Sequence, residues 1–241
     1  MAKKIQGKCS ICGTYGVLTY EHIPPKSAFN SKPKLVQGHE EVFVSTSHKY
    51  GKNRRANQGF GRHCLCASCN NNTGNWYAKD YAEFAEQCMN NFRELKDLYR
   101  VNELKFQIKP LNVMKQIVAM FMCANGNVLT DDLGLRKFVL DRECKDLPEQ
   151  YRVHIFTTIS KNCRYNGLST ILQANGSIIN MSEIVHRPFG FQLTVNSNPT
   201  ERMADITEFT KADYDTIYTM TLTTAMLDVI GALPGNGMSE S

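Results

Sequence analysis

The spacing of the cysteines limits what this chain can fold into more than any other feature of its sequence. Cys9 and Cys12 form one Cys-x-x-Cys pair, Cys66 and Cys69 form a second, and 53 residues separate the two. Each pair places two sulfurs on a tight turn, and two such turns complete a tetrahedral shell for one zinc ion. Cys64 lies beside the second pair but does not have the Cys-x-x-Cys spacing, so we do not assign it as a zinc ligand.

The other cysteines and the apolar runs indicate the kind of compartment. Nine cysteines is an odd number and a poor disulfide framework, whereas paired spacing in a reducing compartment is typical of metal binding. The longest apolar run, residues 117–124, is much shorter than the roughly 20 residues that span a bilayer. The first residues lack the apolar region of a signal peptide. We therefore expect a cytoplasmic protein without membrane contact.

Positive charge is concentrated in the part of the chain that carries the cysteine pairs. Residues 1–66 contain eleven Lys or Arg and three acidic residues, whereas the remainder contains seventeen and twenty. This asymmetry is expected of a surface that faces a polyanion, although a solvated charged face has the same composition. Beside a zinc site we favour nucleic acid as the partner. Five side chains are predicted to contact phosphates without reading bases: Lys49, Lys52, Arg54, Arg55 and Arg62.

Hydrophobic patterning predicts helices in the middle of the chain and strands after them, which is an α+β fold. Residues 26–63 are polar, basic and glycine-containing, and we predict a long, loop-rich insertion there. Helical spacing covers residues 76–99, 111–124 and 132–139. Strand patterns cover residues 16–20, 151–159, 169–173, 177–180, 189–195 and, with helix as the alternative, 214–222. Residues 239–241 are predicted to be a frayed tail.

An acid–histidine pair lies between the cysteine pairs, and an asparagine directly follows the second. His22 is suited to act as a general base for water near neutral pH, and Glu21 can hold a divalent cation that carries a scissile phosphate. The amide oxygen of Asn70 could complete that cation site. If Glu21 and His22 lie on a strand, they point to opposite faces, so local twist must bring both to the site. Taken alone, Glu21 and His22 also fit ordinary surface positions, and Asn70 fits an ordinary N-cap or turn position.

In combination these features resemble a known pattern. The order Cys-x-x-Cys, acid-His-x-x-Pro (residues 21–25), Cys-x-x-Cys-Asn resembles the HNH nuclease superfamily in its zinc-stapled ββα-metal, or treble-clef, form. The asparagine after the last cysteine is similar to that of phage endonucleases that resolve Holliday junctions. Residues 69–77 resemble a set of uncharacterised bacterial and phage HNH proteins. The resemblance covers roughly residues 7–90.

The resemblance implies a metal-dependent endonuclease, a hydrolase that cuts phosphodiester bonds of DNA. The four paired cysteines would hold a structural zinc, His22 would activate water, and Glu21 and Asn70 would bind a catalytic Mg2+ or Mn2+. The 53 residues between the cysteine pairs exceed the separation in compact family members. The family's middle asparagine often precedes the second pair. Asn57 is a candidate for that structural role, and His63 is a second.

The resemblance also implies a domain organisation. Residues 1–100 would form the HNH nuclease domain with the basic insertion at 26–63, and residues 101–241 an α+β accessory domain that contacts DNA, dimerises or docks a partner. A nuclease with such a domain would suit a phage-defence or mobile-element system in which a second protein regulates it. The junction-resolving relatives leave a homodimer open. Whether DNA or RNA is cut, and in which structural form, is also open.

Two other classes of function stay open. A non-catalytic zinc module that only binds nucleic acid predicts that His22 is dispensable and that binding requires zinc but no Mg2+. A protein that binds other proteins, with a purely structural zinc knuckle, predicts no salt-dependent affinity for DNA.

Overall fold

Helices and strands are interspersed along the chain, in agreement with the predicted α+β class. The structure is a computed structural model and describes residues 4–38, 40–41, 44–95, 102–172, 176–197, 203–227 and 236–240. Within these ranges, no helix has both the length and the apolar character needed to cross a bilayer.

The N-terminal part consists of six short strands followed by an interrupted helix. Helix α1 (Ala67–Thr73) continues through a π-helical segment (Gly74–Ala78) into α2 (Lys79–Glu94). The helix predicted for residues 76–99 therefore begins earlier, and residues 96–99 lie outside the described part of the chain. The strands are β1 (Gln6–Lys8), β2 (Tyr15–Val17), β3 (Thr19–His22), β4 (Lys34–Val36), β5 (Arg54–Ala56) and β6 (Gly61–Leu65).

The remainder of the chain confirms most of the predicted helices and strands. Pro110 begins α3 and Gly126 ends it, as expected from their helix-start and turn chemistry. The strand predicted within residues 214–222 is present from Tyr218 onward. Residues 174 and 175 of the turn predicted at 174–176, between the strands predicted at 169–173 and 177–180, lie outside the described residues. The elements are β7 (Asn102–Ile108), α3 (Pro110–Asn125), α4 (Asn127–Thr130), α5 (Leu133–Leu140), β8 (Tyr151–Thr157), β9 (Cys163–Leu172), β10 (Ile178–His186), β11 (Phe189–Val195), β12 (Ala204–Asp205), a 3-10 helix (Thr207–Lys211), β13 (Tyr218–Thr224) and β14 (Asn236–Glu240).

An eight-stranded antiparallel sheet combines strands from both halves of the chain. Its order is β12-β8-β11-β10-β9-β14-β4-β5. The prediction of a frayed tail is wrong for residues 239 and 240, because they belong to β14, which pairs with β9 on one side and β4 on the other. Residue 241 lies outside the described residues. The insertion predicted to be loop-rich supplies β4 and β5. A domain boundary near residue 100 stays a prediction, and this sheet links the segments on its two sides.

Helix α3 is the centre of the hydrophobic core. Every residue from Pro110 to Cys123 is buried, as expected for a helix that is apolar on nearly all sides. The buried ammonium of Lys115 donates to the backbone oxygens of Phe138, Asp141 and Cys144, which satisfies carbonyls at the end of α5. The C-terminal end of α3 reaches β6, where Arg62 donates to the oxygen of Ala124 at 3.0 Å.

Candidate metal centre and adjoining site

The four paired cysteines converge on one point. The sulfurs of Cys9, Cys12, Cys66 and Cys69 all lie within 4.8 Å of one another, and the Cys12 and Cys66 sulfurs are 3.9 Å apart. Zinc–sulfur bonds of about 2.3 Å in a tetrahedron require sulfurs about 3.8 Å apart. The cluster can therefore hold a metal such as zinc. Cys64 is buried and is not one of the four sulfurs.

The first cysteine pair lies on a tight turn between β1 and β2. The amide of Gly13 donates to the oxygen of Cys9, and the amide of Cys9 donates to the oxygen of Thr14, both at 2.9 Å. Gly13 has a φ of +75°, a left-handed conformation that residues with a Cβ rarely adopt. The amide of Ser10 donates to the oxygen of Cys64 at 2.8 Å, so the turn is tied to β6.

The second pair lies at the start of α1. Cys66 is the N-cap, and its sulfur accepts from the amide of Cys69 at 3.5 Å. The Cys69 thiol donates to Cys9, which lowers the pKa of Cys9 to about 4 and raises that of Cys69. Burial raises the pKa of Cys66. Four sulfurs this close compete for protons, and a bound cation would favour the thiolate form of all four.

Strands β3 and β6 and helix α1 form a ββα unit that carries the predicted site residues. The strands are antiparallel, with Glu21 opposite Arg62 and His22 opposite Gly61. A bulge leaves Cys64 as an extra residue on β6, whereas β3 is regular. Because the cysteine cluster includes two residues at the start of α1, it connects the helix of this unit to the β1–β2 turn.

Asn70 reaches from α1 back to β3 through its side-chain nitrogen. Nδ2 donates to Oγ1 of Thr19 at 2.9 Å and to the backbone oxygen of Tyr20 at 3.2 Å. The Thr19 hydroxyl donates in turn to the oxygen of Leu65 at 2.9 Å, so it accepts from Asn70. These contacts fix which end of the amide is the nitrogen. Oδ1 of Asn70 is thus the atom left to bind a cation.

The orientation of His22 is set by a backbone carbonyl and a neighbouring ring. Its Nε2 lies 3.0 Å from the oxygen of Gln58, and because a carbonyl only accepts, Nε2 carries the proton. In the neutral imidazole the lone pair is then on Nδ1. The ring of Tyr20 meets the imidazole edge-on, with centroids 5.1 Å apart at 81°. The contact with Gln58 therefore leaves Nδ1 as the basic nitrogen of the neutral ring, and Tyr20 packs against the same ring.

Glu21 and His22 point to opposite faces of β3, as their strand position requires. Thr19 and Glu21 share the face contacted by Asn70, and Tyr20 and His22 share the other. Among the described strands, β3 pairs only with β6, and His22 is its last residue. A phosphate at the open edge of β3 could therefore contact groups from both faces.

The carboxyl of Glu21 is partly buried, and among the described residues no charged group offsets that burial. Burial raises its pKa to about 7. Arg62 is opposite Glu21 in the strand register, but its guanidinium is directed to the end of α3. A divalent cation beside Glu21 would favour the charged carboxylate. Glu21 and Asn70 thus offer two oxygen donors on one face, a donor type suited to Mg2+ or Mn2+.

Asn30 makes hydrogen bonds of the structural kind that were predicted for Asn57 or His63. Its Nδ2 donates to the oxygens of Pro24 and Phe60, both at 2.7 Å, and its Oδ1 accepts from the amide of Phe60 at 2.8 Å. Asn30 is fully buried, whereas Asn57 and His63 are exposed. The segment after β3 is thereby fastened to the segment before β6. No motif spacing marks Asn30, since Phe60, with which it makes two of its three hydrogen bonds, is 30 residues away.

The five predicted phosphate-binding side chains are exposed but differ in their surroundings. Lys49 pairs with Glu40 at 2.8 Å, and Arg62 is held at the end of α3. Arg54 and Arg55 lie on β5, at one edge of the large sheet, and Lys52 lies two residues before that strand. The charge of Arg54 opposes the burial that raises the pKa of Tyr20, so Arg54 lies within electrostatic range of the face that carries His22.

Comparison with models of known protein families gives no match for this chain, and comparisons with curated proteins and with solved structures give none either.

Proposed function

We propose that this protein is a metal-dependent endonuclease that hydrolyses phosphodiester bonds of DNA. The observation that carries the proposal is the contact between Nε2 of His22 and the oxygen of Gln58 at 3.0 Å. It leaves the lone pair of Nδ1 directed away from that carbonyl, as a water-activating base requires. The oxygen donors of Glu21 and Asn70, which lie on the opposite face of β3 from His22, support the same proposal.

In this proposal the four cysteines hold a structural zinc. Small strands such as β1, β2 and β3 bury little apolar surface, and a metal contributes the stability that they lack. The zinc would fix α1 relative to the β1–β2 turn. Since Asn70 directly follows Cys69, its amide would be positioned by the same metal.

The chemistry proposed for the chain's own residues begins with His22. Nδ1 accepts a proton from a water whose oxygen attacks phosphorus, and the Gln58 carbonyl stabilises the resulting imidazolium through Nε2. The bond from phosphorus to the leaving oxygen breaks, and that oxygen takes up a proton from solvent water. Glu21 and Oδ1 of Asn70 would hold a divalent cation, and such a cation would supply positive charge to offset that of the scissile phosphate. Arg54, Arg55 and the other basic side chains attract and orient the strand.

Nicking of supercoiled plasmid with Mg2+ or Mn2+ tests the proposal. Wild type is compared with His22→Ala at equal zinc content, with His48→Ala, an exposed histidine outside the ββα unit, as the matched control. We expect cleavage by wild type and the control and loss in His22→Ala. Zinc-dependent DNA binding without cleavage by any of them would favour the non-catalytic binding module instead.

A further inference from the structure

Phe29 combines a left-handed backbone with an exposed aromatic ring. Three non-glycine residues in the described ranges have positive φ, and two of them, Asn196 and Asp215, are residue types that tolerate it. Phe29 has a φ of 63°, which is unfavourable for a bulky side chain. Its side chain is nonetheless 38% exposed. Burial of the ring therefore does not account for the conformation.

The neighbouring residues impose this conformation from both sides. Ala28, before it, is 1% exposed, and Asn30, after it, is fully buried in three hydrogen bonds. Gly59 packs against the backbone of Asn30 so closely that a Cβ there would lie 2.0 Å from the Asn30 oxygen. Strain of this kind persists only where the surroundings over-determine it, and it is concentrated at functional positions.

Residues 58–60 are hydrogen-bonded both to His22 and to Asn30, the residue after Phe29. Asn30 is bonded to Phe60, and Gln58, two residues before Phe60, accepts from His22. The exposed ring of Phe29 is therefore fixed relative to the imidazole through one short, hydrogen-bonded stretch of chain. A ring held in this way can contact a substrate without first being ordered.

The charge around Phe29 favours a nucleic acid over an apolar protein surface. Residues 23–33 contain no acidic residue, and Lys26 and Lys32 are both exposed on either side of Phe29. An exposed aromatic ring flanked by basic side chains is the combination that binds nucleic acid by stacking on bases and attracting phosphates.

We propose that Phe29 stacks on the face of a nucleobase next to the phosphodiester at His22. This inference rests on the proposed function, since it assumes that nucleic acid is the substrate. It explains why a strained, exposed aromatic residue lies in the loop directly after β3.

The test is the substitution Phe29→Gly in the full-length, zinc-loaded protein. Glycine adopts positive φ without strain, so we expect a melting temperature equal to or above that of wild type. Loss of one stacked base should weaken binding by about 5- to 100-fold. Phe29→Trp should retain affinity, and Tyr15→Ala, which removes a 71% exposed ring elsewhere, should leave it unchanged.

Affinity is measured with single-stranded and duplex oligonucleotides in Ca2+, which limits cleavage, and plasmid nicking is measured in parallel. A loss confined to one form of DNA supports the proposal and identifies the form that supplies the base. Equal affinity and nicking by Phe29→Gly and wild type would overturn the stacking role while leaving the nuclease intact. Absence of both binding and cleavage in wild type would overturn the proposed function and this inference with it.

Discussion

Nε2 of His22 lies 3.0 Å from the backbone oxygen of Gln58, a residue 36 positions further along the chain. This contact selects the tautomer of His22 and depends on the placement of residues 58–60, which Asn30 holds. The geometry of the proposed base is therefore a property of the loop after β3 as well as of β3 itself.

Removing the Asn30 side chain should destabilise the protein far more than removing that of Asn57. Asn30→Ala leaves the amide and oxygen of Phe60 and the oxygen of Pro24 without their partner, which should cost about 2–3 kcal/mol. Asn57 is exposed, and Asn57→Ala should change the free energy of unfolding by less than about 0.5 kcal/mol. Chemical denaturation of both variants measures the difference. Equal effects would contradict the role assigned to Asn30.

The sequence was sufficient for features determined by local spacing. The Cys-x-x-Cys spacing alone predicts that two sulfurs lie close together, and Pro110 and Gly126 mark the ends of α3. It was not sufficient where distant segments meet. Residues of β14 form a strand because they pair with β4 on one side and β9 on the other. Asn30 has a structural role because its side chain is hydrogen-bonded to the backbone of Phe60. Neither partnership leaves a periodic or short-range signal.

Zinc content should distinguish the cluster from the neighbouring cysteine. We expect one zinc per chain in wild type and in Cys64→Ala, and loss of zinc in Cys69→Ala, because Cys69 is one of the four cysteines of the cluster and Cys64 is not. Metal analysis of the purified proteins measures this directly. Full zinc content in Cys69→Ala, or loss in Cys64→Ala, would show that the ligands are assigned incorrectly.

The Thr19 hydroxyl should matter for cleavage through Asn70. Thr19→Val keeps the shape of the side chain but removes the acceptor of Asn70 and the donor to Leu65. We expect a loss of stability of about 1 kcal/mol and a decrease in cleavage of about 10-fold, with zinc content unchanged. Thr170→Val, at an exposed threonine of β9, is the control. Cleavage by Thr19→Val at the wild-type rate would contradict the orientation inferred for Asn70.

The buried His186 should make the protein sensitive to acid. Burial lowers its pKa to about 3, so between pH 6.5 and 3 the unfolded chain binds a proton that the folded protein does not. The free energy of unfolding therefore falls as the pH falls, by up to about 1.4 kcal/mol per pH unit from this group. Denaturation at several pH values should show a shallower decline in His186→Phe. Parallel declines in the two proteins would contradict a buried, neutral His186.

Chemical rescue of His22→Gly tests the central claim most directly. The variant is assayed for plasmid nicking with Mg2+ or Mn2+, with and without added imidazole, at equal zinc content. If His22 is the base, the variant is inactive alone and imidazole restores part of the wild-type rate, most strongly above the pKa of imidazole. Nicking by His22→Gly at the wild-type rate without imidazole would contradict the account.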